Sequence, residues 1–196
     1  NNRVKELMDT VGLSQRLVNT YPHELDGGRR QRIGIAKALA LNPKFIVCDE
    51  PVSALDVSIQ AQVLNLMKDL QEKLGLTYMF ITHDLSVVKY FSNDIAVMYL
   101  GNVLEVLPGE KLKDSAYHPY TKALLSSLFS INMDFSKKIT SIDGDVPSPI
   151  NLPSGCVFQG RCKFVKDKCK GHKPILEDIE KKHEVACYFT KEINNL

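Results

Sequence analysis

Two short apolar runs flank one helix-length amphipathic stretch, and this spacing restricts the fold more than any other feature of the chain. The runs are "FIVC", Phe45–Cys48, and "TYMFIT", Thr77–Thr82. A continuous apolar run of that length suits a strand buried on both faces of a parallel sheet. The stretch between them, about 57–74, carries Val63, Met67, Leu70 and Leu74 on one side and stops before Gly75. Parallel neighbours need a crossover of this kind, and the crossover is normally a helix. The expectation is therefore an α/β fold with a parallel, helix-covered sheet. Ligands in such sheets bind beyond the carboxyl ends of the strands. Asp49 and Glu50 follow the first run, and His83 follows the second. If the strands are neighbours, these three polar groups converge on one crevice.

Local signals order the rest. Val4, Leu7, Met8 and Val11 recur at helical spacing, and Gly12 ends that helix. Ser14 is placed to cap a short second helix carrying Leu17 and Val18, which Tyr21-Pro22 breaks. Residues 29–41 predict a helix with Ile33, Ile35, Ala36 and Leu39 on its buried side. Asp56 is a cap for the long helix, and Asp84 for a shorter one over Leu85–Phe91. "DIAVMYL" and "NVLEVL" predict two more strands that turn at Gly101-Asn102. After Pro108 the texture becomes loop-like, except for a helix expected over Tyr120–Phe129.

Composition narrows the class without naming a function. The chain has 196 residues and a net charge of +2, so no strong overall field selects nucleic acid or an anionic membrane. No apolar run approaches the length of a membrane span, and no signal-peptide pattern opens the chain.

An apolar strand ending in Asp-Glu is a weak signal alone, equally consistent with an exposed acidic turn. Its surroundings sharpen it. "ELDGGRRQR" places Gly27 22 residues before Asp49, "SALD" begins three residues after Glu50, and "THD" closes the second strand. This ordered set resembles the ATP-binding cassette (ABC) family. The stretches "YPHELDGGRRQRIGIAKALALNP" and "CDEPVSALDVSIQAQVLNLM" look like the ATP-binding subunits of bacterial oligopeptide and dipeptide importers. So do "YHPYTKALLSSL" and "SGCVFQGRC…HEVAC".

The resemblance implies the C-terminal part of a RecA-like nucleotide-binding domain with a small cysteine-rich extension. It divides the chain into a helical-subdomain remnant (1–26), a signature helix and catalytic core (27–107), a linker and helix (108–150) and a cysteine segment (151–196). Asp49 would handle magnesium and Glu50 would activate water. His83 and Asp56 would sense the γ-phosphate and the partner site. Gly27 and Gly28, with Asp26 and Arg29 beside them, would face ATP held by a second ATPase subunit. The further partners implied are transmembrane permease subunits and, indirectly, a substrate-binding protein, with the chain peripheral at the cytoplasmic face of the membrane.

The sequence departs from the family in its phosphate loop, in its glutamine loop, which is missing too, and in its signature residues. The phosphate loop G-x-x-x-x-G-K-[ST] is absent, and the one G-x-x-x-x-G, Gly155 to Gly160, runs into Arg161-Cys162. The chain alone is therefore expected not to hydrolyse ATP, and the strand around Met79–Ile81 is expected to lack a neighbour: either a preceding segment supplies one or its absence leaves an exposed apolar edge. Asp26 and Arg29 stand where the family usually has serine and glutamine. Asp26 is either a helix cap neutralised by the helix end and Arg29 or Arg30, or a carboxylate that weakens one composite ATP site.

Four of five cysteines, Cys156, Cys162, Cys169 and Cys187, fall in the last 41 residues. Clustering of this kind points to metal before disulfides. The spacing C-x5-C-x6-C-x17-C lacks the tight pairs of structural zinc sites and suits four thiolates around an iron–sulfur cluster. Between Arg161 and Lys173 there are six basic residues and one acid, Asp167, which would balance a negative cluster. The family resemblance implies a 4Fe–4S centre. Zinc, held by all four thiolates or with His172 or His183 replacing one, and reduced thiols without metal remain open. Two rival functions also stand: a stand-alone metal-binding interaction module, and a soluble ABC protein. The low net charge and the lack of interleaved aromatics count against nucleic acid.

Overall fold

A computed structural model describes residues 2–127, 142 and 144–196 of the chain. The chain divides into two compact units, one running to Asp84 and the other from Leu85 to Leu196.

The first unit opens with helix α1 (Asn2–Thr10), which buries Met8. Val11 and Leu13 follow it into the core, and Gly12 turns between them at φ +68. The expected capped helix after Ser14 is instead a 3-10 turn, Gln15–Asn19, and the Ser14 side chain makes no capping bond. Five residues before a Tyr-Pro break are too few to nucleate an α-helix. Helix α2 (Gly27–Leu39) buries Ile35 and Leu39, with Ile33 and Ala36 half-buried. Arg32 ties the two helices by donating from Nη1 to the Val11 carbonyl at 2.7 Å.

Strand β1 (Phe45–Asp49), helix α3 (Val57–Leu74) and strand β2 (Thr77–Ile81) form the anticipated crossover. β1 and β2 pair in parallel, with Phe45 opposite Thr77 and Asp49 opposite Ile81. The Asp56 carboxylate caps α3 by accepting from the Ile59 amide at 3.0 Å, and Gly75 ends it at φ +63. α3 buries Val63, Leu64, Met67 and Leu70.

The expectation that both faces of these strands are buried is not met. The sheet has two strands, and Phe45, Val47, Met79 and Ile81 are 43–56% exposed. Their neighbours Ile46, Cys48, Tyr78 and Phe80 are half-buried. The alternation of strand side chains assigns each set to one face, and only one face is covered.

The second unit begins with helix α4 (Leu85–Phe91) and the hairpin of β3 (Asp94–Tyr99) and β4 (Asn102–Pro108). The turn falls one residue earlier than the expected Gly101-Asn102, because Asn102 already pairs with Tyr99: Leu100 and Gly101, at φ +46 and +72, supply the paired left-handed residues that a two-residue hairpin requires. Helix α5 (Pro119–Ser126) follows. The end of the helix expected to reach Phe129, and residues 130–141 and 143 of the loop after it, lie outside the described residues. Helix α6 (Lys168–Gly171), strands β5 (Glu177–Glu180) and β6 (His183–Val185) and helix α7 (Thr190–Asn194) complete the unit.

The cysteine segment does not stand apart as the sequence suggested. β6 pairs with β4, giving an antiparallel sheet ordered β3-β4-β6-β5. Cys156, Val157, Phe158 and Cys169 share a core with Tyr99 and Leu104. Apolar side chains at 156–158 bury most surface against the hairpin, so the two fold together. A buried polar cluster locks the junction. Glu105, fully buried, accepts from the amides of Tyr117 (2.7 Å) and His118 (3.1 Å) and meets His183 Nε2 at 2.8 Å. The Tyr117 ring stacks on His183 at 4.7 Å. A carboxylate out of water is tolerable only when satisfied in this way.

Two variants probe these contacts. Asp56→Ala removes the α3 cap and should cost about 1 kcal/mol, read as a lower urea midpoint. Gly155→Ala should be more severe, because a Cβ there would lie 2.0 Å from the Cys169 carbonyl oxygen, on rigid backbone. A loss of at least ~2 kcal/mol in thermal unfolding, with faster thiol labelling of Cys156 and Cys169, is expected.

Candidate functional site

The parallel register brings the ends of β1 and β2 level, and the polar groups follow. The Glu50 amide donates to the Ile81 carbonyl at 2.9 Å, extending the ladder one residue past Asp49. Glu50 then takes φ +44, a left-handed conformation that costs a non-glycine residue energy and clusters at functional turns. Its carbonyl accepts from the Ser53 hydroxyl at 3.1 Å, which holds the turn. The Glu50 carboxylate meets His83 Nδ1 at 2.9 Å. The His83 hydrogen bond holds the Glu50 carboxyl below its ordinary range, against the opposing effect of desolvation. Both side chains are open to solvent, at 46% for Glu50 and 75% for His83. Asp49 lies exposed at the same end of the sheet. The convergence inferred from topology is thus present for Glu50 and His83 by direct contact, and for Asp49 by position.

Asp26 acts as the N-cap of α2. Its Oδ1 accepts from the Arg29 amide at 2.8 Å, and Arg29 Nε stands 3.5 Å from Oδ2. Of the two possibilities for this carboxylate, the cap is the one the geometry contains. The glycines after it have a packing role that motif reasoning missed. A Cβ on Gly28 would lie 2.5 Å from Ile59 Cγ2, and one on Gly27 would lie 3.0 Å from Leu55 Cδ2. α2 therefore approaches the start of α3, and the turn that Asp56 caps, through bare backbone. A side chain at Gly28 would displace that turn.

In the second unit all four clustered cysteines line one cavity, together with His118, Phe158, Phe164 and Phe189. Backbone amides of Phe158, Phe164 and Phe189 hydrogen-bond the sulfurs of Cys156, Cys162 and Cys187, each two residues earlier. Burial nevertheless pushes the thiols up, Cys156 to about 11. Among the described residues no group of three or more His, Cys, Asp or Glu is placed to hold a metal ion. The expected metal centre is therefore not supported as a formed ligand set. The thiols pack among aromatic rings around the cavity, as cysteine does when it serves as a small apolar side chain. His172 and His183 do not line it, and His183 is committed to Glu105. His118, which the sequence did not single out, does line it.

No helix among the described residues is long and apolar enough to cross a membrane. Residues 1–53 match the family model "ABC transporter", and residues 104–169 match "Oligopeptide/dipeptide transporter, C-terminal region". The oligopeptide transport ATP-binding protein AppF of Bacillus subtilis (strain 168) is 52% identical over 191 residues, 96% of this chain and 58% of its own length. The oligopeptide transport ATP-binding protein OppF of Salmonella typhimurium is 52% identical over 188 residues, 95% of this chain and 56% of its own. The chain thus spans a little over half the length of the curated relatives it matches. Among solved structures, the ADP conformation of MJ1267, an ATP-binding cassette of an ABC transporter, superposes with a TM-score of 0.53. It is 28% identical, covering 65% of this chain and 47% of that one. An inward-facing metal-chelate type ABC transporter gives a TM-score of 0.53 at 32% identity, over 57% of this chain and 43% of that one. Over nearly its whole length the chain is thus similar to the ATP-binding proteins of oligopeptide ABC transporters.

Proposed function

We propose that this chain supplies the signature, Walker B, D-loop and switch-histidine elements of an ATPase subunit that powers peptide import through a membrane ABC transporter. The observation that carries the proposal is the 2.9 Å contact between Glu50 and His83 at the carboxyl end of the parallel pair, beside Asp49. Each residue then has a chemical task. Asp49 holds Mg²⁺ through the ion's retained water. Glu50, kept ionised by His83, accepts a proton from the attacking water. His83, oriented through Nδ1 by Glu50, presents its ring to the γ-phosphate. Asp56 fixes the turn joining the catalytic strand to α3. Gly27, Gly28, Asp26 and Arg29 face the nucleotide of a second ATPase subunit, homologous or identical. Permease subunits and, indirectly, a substrate-binding protein complete the assembly, with this chain peripheral at the cytoplasmic face. The rival reading as a stand-alone interaction module gives the Glu50–His83 contact no task.

In an importer whose ATPase subunit carries this sequence, Glu50→Gln should lower steady-state phosphate release by about 100-fold or more while ATP still binds. The 196-residue chain by itself, which has no phosphate loop, should release no more phosphate than its own Glu50→Gln variant. Release from the unaltered chain well above that control contradicts the assignment.

The four cysteines, on the same proposal, hold a 4Fe–4S cluster with a structural or redox-sensing task. What supports the reading is the chemistry of the donors, not a formed ligand set. Four sulfurs share one cavity, its lining contains no carboxylate, and amides already address three of the sulfurs. Hydrogen bonds of that kind stabilise cluster-bound thiolates. Protein purified anaerobically should contain about four iron atoms per chain and be brown. A colourless, iron-free preparation from cells supplied with iron overturns the cluster.

A further inference from the structure

The segment that presents His83 is held by a contact that neither strand supplies. The His83 side chain is 75% exposed, and its partner Glu50 is exposed as well. An exposed pair has little packing around it and is weak by itself, so the aim of the ring depends on how the backbone to either side is fixed. The neighbours Thr82 and Asp84 are half-buried. The Asp84 amide donates to Thr82 Oγ1 at 3.1 Å, which ties the two sides of His83 together. Gln60 Nε2 donates in turn to Asp84 Oδ2 at 3.4 Å. Gln60 is half-buried in the first turn of α3, where its amide donates to the Asp56 carbonyl at 2.8 Å. It follows Ile59, whose amide Asp56 caps and whose Cγ2 a Cβ on Gly28 would approach to 2.5 Å. One turn of α3 therefore bears both on the start of α2 and on the segment that carries His83.

We infer that Gln60 is a positioning residue for the reaction: by donating to Asp84 it fixes the backbone around His83 and keeps the imidazole against Glu50. The inference rests on the reading of Glu50 and His83 as the pair that activates water. A carboxylate only accepts, so the amide nitrogen of Gln60 must be the atom that faces Asp84. Gln60→Glu would set two carboxylates against each other, whereas Gln60→Arg would restore a donor, and a charged one.

These variants test the role in an importer whose ATPase subunit carries this sequence. Gln60→Ala removes the donor and should lower kcat about tenfold, with the KM for ATP within about twofold of the unaltered value. Gln60→Glu should lower kcat further, and Gln60→Arg should return it to within about threefold of the unaltered subunit. Added to His83→Ala, Gln60→Ala should cost less than about twofold more, because the group it positions is gone. An equal loss in both backgrounds marks a purely structural role and overturns the inference. Spectra of the 196-residue chain carrying ¹⁵N-histidine, at an alkaline pH that keeps an ordinary imidazole neutral, give a readout without turnover. The His83 proton should reside on Nδ1, facing Glu50, and move toward Nε2 in Gln60→Ala and Gln60→Glu. A proton position unchanged in both variants overturns the inference. So does an unchanged kcat in both, where Glu50→Gln stops turnover, and the function reading then stands. Glu50→Gln without effect on turnover overturns the function reading and this inference with it.

Discussion

The parallel pairing of β1 with β2 is the constraint on which the first unit depends. Because Asp49 lies opposite Ile81, one more ladder bond, from the Glu50 amide to the Ile81 carbonyl, draws Glu50 to the strand that leads to His83. That bond, with the Ser53 contacts to the Glu50 carbonyl, holds Glu50 in a conformation an ordinary residue avoids. A shift of one residue in the register would turn the side chains of a strand to the opposite face and part the carboxylate from the imidazole. The site is therefore a property of the pairing, and neither strand contains it alone.

Helix α2 is joined to this arrangement by absence of side chains rather than by their presence. Gly28 lets α2 lie against Ile59, and Gly27 lets it lie against Leu55, both beside the turn that Asp56 caps. The glycines that suggest close approach of a ligand also permit close approach of α3. One pair of residues thus couples the start of α2 to the segment following β1. Asp26 extends the same economy. A carboxylate at this point satisfies an orphan amide of the helix and lies near the Arg29 guanidinium, so its charge is partly balanced within the motif.

The second unit is organised around a buried acid and four thiols. Glu105 fastens β4 to β6 through His183 and to the start of α5 through two amides. That fastening places His118 against the cysteines. Gly155 matters for the same reason, since the Cys156 amide donates to the Cys169 carbonyl at 2.8 Å and leaves no room for a side chain next to it. Cysteines far apart in sequence become neighbours through backbone contact and aromatic packing.

Much of this was legible in the residues. Apolar runs and their spacing determined the crossover, its caps and the two-residue hairpin, because each depends on period, turn chemistry and local hydrogen bonds. The order of Asp49-Glu50 and His83 at strand ends followed from the same local rules. The packing duty of Gly27 and Gly28, the exposure of one sheet face, the joining of β6 to β4 and the place of His118 beside the cysteines were decided only by the tertiary structure. Each is a contact between residues distant in sequence, set by which surfaces meet, and no local pattern encodes the partner.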